Sequence, residues 1–142
     1  MPLNMLESLY DEAHSSGISV ENFDLTENPS VCACIDGRYY IGIDKNRMST
    51  SYEEAECLAH ELGHCRTDAF YELDCPSYKR SSKEKKAQTW AILRIVTPER
   101  FRAAYESGCR EVWEFAEELN ISCDFAHKVM LYYHEKGFGC LG

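Results

Sequence analysis

Apolar residues along this chain fall into helical and strand-like rhythms separated by recognisable breaks. Leu3, Leu6, Leu9, Tyr10 and Ala13 recur at three- and four-residue steps, and Gly17 supplies a stop, which predicts a helix over about 3–15. Residues 18–25 show no period strong enough to assign. Two β-rich runs, Val31-Cys32-Ala33-Cys34-Ile35 and Arg38-Tyr39-Tyr40-Ile41-Gly42-Ile43, flank Asp36-Gly37 and predict a hairpin over about 31–43, because Gly tolerates the positive φ of a tight turn. Ser49-Thr50-Ser51 with Glu53 and Glu54 reads as a capping box that opens a second helix, about 51–66. Residues 67–80, interrupted by Pro76, read as a loop. Ser81 or Ser82 can cap a third helix, about 83–96, which must stop before Pro98. Thr97-Pro98-Glu99 combines a cap, a first-turn proline and a first-turn acid, so a fourth helix starts there and ends at Gly108. A fifth covers about 109–119, and Ser122 caps a sixth that ends at Gly137.

Size and charge narrow the classes. A chain of 142 residues, 44% hydrophobic, can build one real core, so a single domain over 1–142 is expected. With 15 basic against 24 acidic residues the net charge is −9, which argues against broad binding to a phosphate backbone. No run approaches the roughly 18 apolar residues of a membrane span. The start, MPLNMLESLYDEAH, lacks the basic and apolar regions of a secretory signal, and the final Gly139-Cys140-Leu141-Gly142 does not form a prenylation box, so a cytoplasmic location is expected. In that compartment the 8 cysteines read as reduced thiols, mostly small core residues, rather than a disulfide framework. Cys32 and Cys34 share a strand face, as small buried side chains or as a soft-metal clip.

The chemistry concentrates at His60-Glu61-Leu62-Gly63-His64. On a helix the two histidines lie about 40° apart and about 6 Å along the axis, so both rings can reach one ion. Glu61 falls beside the same face, placed to take a proton from water activated by that ion. Two imidazoles and a carboxylate favour Zn²⁺, although Mn²⁺ or another divalent metal can occupy such a site. A third protein ligand is required. Thr67 and Phe70 stand where a metzincin continuation needs Gly and His, which excludes that class. Asp68 is a local candidate if the helix runs past Cys65. Glu84 is the favoured one: it opens the third helix, with Ala87, Trp90 and Ala91 on its face and Lys83, Lys85 and Lys86 on the opposite one. Small residues at Gly63 and Ala87 would let the two helices approach closely enough for Glu84 to reach the ion.

The order hairpin, His60-Glu61-Leu62-Gly63-His64-Cys65, Phe70-Tyr71, then Glu84-Lys85-Lys86-Ala87-Gln88-Thr89-Trp90-Ala91 and a helical tail resembles the ImmA/IrrE family of metallopeptidases over roughly residues 31–134. The resemblance implies a zincin-like fold, with His60 and His64 as metal ligands, Glu61 as general base and Glu84, in a Glu-x-x-Ala motif, as third ligand. It also implies hydrolysis of a peptide bond in a partner protein, for a chain this short a helix-turn-helix repressor of a mobile element. Gln88 departs from the pattern, standing where an Asn or Asp often follows that Ala, and so removes a carboxylate from behind a ligand. Tyr71 and Tyr78 lie between the two motifs and are candidate oxyanion donors, with packing as the competing role. His14, His127 and His134 read as solvated or core residues.

A rival motif runs from Val112 through Asn120-Ile121 to Tyr133 with the rhythm of a helix-turn-helix. Residues 109–142 carry three cations, Arg110, Lys128 and Lys136, against six acids, which phosphates would repel. The basic run Lys79 to Lys86 reads as a solvated face. The reading is therefore an α+β domain in which a small antiparallel sheet packs on a mostly helical body, and the helices of about 98–137 pack on the metal-binding core. Leu58, Leu62, Trp90, Ile92, Val112 and Trp113 are expected in the interior. Two alternatives stand beside the endopeptidase: a metal-containing module that sequesters a repressor without cutting it, and a small DNA-binding regulator.

Overall fold

A computed structural model describes residues 4–70 and 77–137, apart from the side chain of Tyr78. Tyr71, and Tyr78 as a side chain, lie outside the described residues. The class is α+β: six helices and a three-stranded sheet among the described residues. The chain divides into two compact units, Met1–Ala91 and Ile92–Gly142.

The first unit opens with α1 (Met5–Ser15), whose Asn4 cap accepts from the Glu7 amide at 2.8 Å and whose Leu9 and Ala13 are buried. The hairpin of β2 (Ser30–Ile35) and β3 (Arg38–Ile43) turns through Asp36 at φ 51° and Gly37 at φ 78°, the backbone that the Asp-Gly pair favours. A third strand, β1 (Ser19–Asn22), lies in the unassigned stretch 18–25 and pairs parallel with β3, Val20 opposite Ile41. The sheet order is β1-β3-β2, so the sheet is mixed rather than antiparallel. A four-residue strand paired across a long connection leaves no period of its own to read. Ile41 and Ile43 on β3 bury one face of the sheet, and α1 and the sheet both pack against α2 (Ser51–Thr67).

Helix α2 starts as its capping signal requires: Thr50 Oγ1 accepts from the Glu53 amide at 3.2 Å, and Glu53 accepts from the Ser49 amide at 3.1 Å. Leu58 and Leu62 are fully buried. The helix ends at Asp68, which takes the left-handed conformation at φ 54°. Helix α3 (Ser77–Ile95) begins six residues before the expected start at 83, inside what reads as loop. Ser81 and Ser82 sit within it rather than capping it; serine costs a helix little, and Tyr78-Lys79-Arg80 are compatible with it. Trp90 is half-buried rather than in the interior.

The second unit holds α4 (Pro98–Glu106), α5 (Val112–Leu119) and α6 (Cys123–Glu135). Thr97 caps α4 by accepting from the Arg100 amide at 3.3 Å, and Ser122 caps α6 by accepting from Phe125 at 3.1 Å. Helix α5 starts at Val112, three residues later than expected, with Glu111 and Glu114 forming a reciprocal capping box. The core stacks Phe101 between Phe115, centroids 4.9 Å apart, and Tyr133, 4.6 Å apart. Buried Tyr133 donates its hydroxyl to the Val96 carbonyl. Trp113 is 57% exposed, and Val112 is half-buried. The buried stripe of α5 is Phe115, Ala116 and Leu119; Trp113 points with Glu117, one turn on, to the opposite face.

Of the described thiols Cys65 and Cys109 are buried, Cys32 and Cys57 intermediate, and Cys34 and Cys123 exposed, all free. They are therefore less uniformly interior than expected. No helix among the described residues is long and apolar enough to cross a membrane.

Candidate metal centre

The centre is assembled wholly within the first unit, from α2, α3 and β2. Helical spacing sets the rings of His60 and His64 edge to face with centroids 5.0 Å apart. Each ring is fixed from behind. His60 Nδ1 donates to Gln88 Oε1 at 2.9 Å, and His64 Nδ1 donates to the Ala69 carbonyl. Each Nε2 is thereby turned toward Glu84 Oε2, which lies 2.7 Å from His60 Nε2 and 3.2 Å from His64 Nε2.

Close approach of the helices brings Glu84 there. A Cβ built on Gly63 would meet the Ala87 carbonyl oxygen at 2.4 Å and its C and Cα at 3.0 Å. Only glycine lets α3 cross α2 at this distance. Glu84, one turn before Ala87, is carried to the imidazoles by the same contact.

The three donors suit a divalent ion. Their ligating atoms all lie within 4.8 Å of one another, while ligands around one zinc each sit about 2.0–2.2 Å from it. His64 is 5% exposed at its side chain, but His60 and Glu84 are 24% and 39% exposed, so the set opens to solvent on the α3 side. Asp68 is not part of it. As the left-handed residue ending α2 it turns outward, and Tyr39 donates to its Oδ1 at 3.4 Å. That carboxylate also pushes the Tyr39 phenol above its usual pKa.

Glu61 is buried beside the donors and not among them. Ser30 on β2 donates to its Oε2 at 2.6 Å. Strand alternation then aims Cys32 the same way, and Cys32 Sγ, a Glu61 oxygen and a His64 nitrogen form a second cluster within 4.8 Å. Burial, and then the charge of Glu61, push the Cys32 thiol well above its ordinary pKa; Cys65 is pushed up to about 12 for the same reasons. Phe70 lies 6.2 Å from the His64 ring and stacks on Tyr39 at 5.6 Å, giving the centre an aromatic border.

No family model, curated protein or solved structure matches this chain. The geometry is therefore what bears on its chemistry. Ser30 and Gln88 are the two members that motif reading does not single out as partners. Ser30 shares a strand face with Cys32 and Cys34, which is a usable signal once the hairpin is placed. Gln88, one turn after Glu84, supplies a carbonyl oxygen where the resemblance leads one to miss a carboxylate. His14, His127 and His134 are exposed.

Proposed function

We propose that this chain is a cytoplasmic, zinc-dependent metallo-endopeptidase of the ImmA/IrrE type, with a helix-turn-helix repressor of a mobile element as its substrate. One observation carries the reading: three ligating atoms from two helices converge within 4.8 Å, beside a buried carboxylate that is not one of them. That is the separation of labour metal-assisted hydrolysis needs, with ligands to hold the ion and a free base to move a proton.

His60, His64 and Glu84 would hold the ion, with Mn²⁺ or another divalent metal as a substitute. When bound, the ion supplies a Lewis acid that polarises a carbonyl and lowers the pKa of water towards about 7. The remaining work belongs to the chain. Gln88 and the Ala69 carbonyl hold the two rings in the ligating tautomer. Ser30 occupies one Glu61 oxygen and so fixes the carboxylate in place. The carboxylate, which the Cys32 thiol also contacts, is placed to take a proton from the attacking water and pass it to the departing amine. The peptidase-like order of motifs from 31 to 134 supports the family reading, and the repressor is the substrate that this resemblance implies.

The test is Glu61→Gln in the zinc-loaded chain, assayed on a quenched-fluorescent peptide mixture. Loss of about 10²–10⁴-fold in rate with zinc content retained is the expected result. Equal rates for both forms would refute the assignment of Glu61. An unchanged biological output in a Glu61→Gln strain would point to sequestration instead of cleavage.

A further inference from the structure

In the second cluster, Cys32, Glu61 and His64, the cysteine has no role in the hydrolysis just described. A thiol at a hydrolytic centre can be a nucleophile, a redox sensor, packing or a ligand. The first two need a thiolate at neutral pH and access to solvent. Cys32 is part-buried, its sulfur packed against a Glu61 oxygen and a His64 nitrogen, so access from solvent is restricted. Cys32 hydrogen-bonds Glu61 as a thiol, which accounts for the carboxylate, but neither that bond nor packing uses the imidazole nitrogen within 4.8 Å of the sulfur. Thiolate, imidazole and carboxylate together are a zinc donor set, and the sulfur is its softest member.

We propose that Cys32, Glu61 and His64 form a second, alternative position for the divalent ion, which excludes occupation of the His60, His64 and Glu84 position. Exclusion follows from the shared ring. His64 Nδ1 is engaged by the Ala69 carbonyl, which leaves one nitrogen and therefore one ion at a time. His64 belongs to both sets, so an ion can pass between them without leaving that ligand. Coordination displaces the thiol proton to solvent. In this position Glu61 is a ligand and cannot accept a proton, so the chain is loaded but idle; that consequence, unlike the site itself, rests on the peptidase reading.

Cobalt(II) titrated into the full chain tests the site without any substrate, since a thiolate on Co²⁺ gives an intense near-ultraviolet charge-transfer band. Glu84→Gln, which removes the competing carboxylate, is expected to show the band at full strength with one equivalent of Co²⁺, and the wild type at lower strength. Cys32→Ser is expected to abolish it in both backgrounds, and Cys34→Ser to leave it. Absence of the band from Glu84→Gln, or its survival in Cys32→Ser, overturns the proposal. A chain that cuts peptides but shows no sulfur band keeps the peptidase reading and loses this one; a sulfur band in a chain that hydrolyses nothing does the reverse.

Discussion

Gly63→Ala is the sharpest test of how the centre is held. The added methyl would sit 2.4 Å from the Ala87 carbonyl oxygen and 3.0 Å from two more backbone atoms of α3. Ordinary carbon contacts need about 3.5 Å, so α3 must retreat by about 1 Å at this point. Overpacking of this kind costs about 1–3 kcal/mol. Alanine returns about 1 kcal/mol of helix propensity relative to glycine, leaving a net loss of up to about 2 kcal/mol. For a chain of this size that lowers Tm by up to roughly 8 °C. The retreat carries Glu84 with it, and zinc affinity should fall about 10–100-fold, on the scale of a disturbed ligand support. The assays are thermal unfolding by circular dichroism and zinc competition against a chromophoric chelator. Because the clash is with backbone, adding Ala87→Gly should not rescue either quantity. A Gly63→Ala chain with wild-type affinity and equal or higher Tm would refute the close-crossing argument.

Other consequences can be checked independently. Gln88→Ala frees the His60 ring and should weaken zinc binding about 10–100-fold with little change in Tm, as read by the same competition. Tyr133 has its phenol pushed up to about 12, first by burial and then by the neighbouring Tyr132. The folded chain therefore keeps a proton that the unfolded chain gives up near pH 10, and the stability this contributes is complete below pH 10 and lost between about pH 10 and 12. Urea unfolding should show less of that alkaline loss in Tyr133→Phe, which at neutral pH is weaker by about 1–3 kcal/mol because the Val96 carbonyl loses its donor. Trp113→Ser, at an exposed position, should change stability by no more than about 0.5 kcal/mol; a larger loss would show that the indole is covered.

What the sequence discloses here is local, and what it conceals is distant. The capping residues Thr50, Thr97 and Ser122 and the Asp36-Gly37 turn act on amides a few positions away, so their signals survive in one dimension. The spacing of His60 and His64 is likewise a property of a single helix. Glu84 could be nominated because Gly63 and Ala87 leave room for a crossing that a sequence can at least permit. The parallel pairing of β1, the Ser30 to Glu61 bond and the approach of Cys32 to His64 span about 20 to 30 residues and depend on how the sheet lies on α2. The early start of α3 and the outward Trp113 fail differently: propensity permits several boundaries, and an aromatic residue gives no direction unless its stripe is resolved.

The end of α2 ties two things that are usually independent. His64 and Ala69 bond reciprocally, the Ala69 amide to the His64 carbonyl at 2.9 Å and the imidazole back to the Ala69 carbonyl. A ligand on the far nitrogen of that ring holds the ring, and the ring holds the peptide that reverses the chain. Loading the centre should therefore slow deuterium uptake at the Ala69 amide, so that occupancy can be followed from a backbone position that touches no ion.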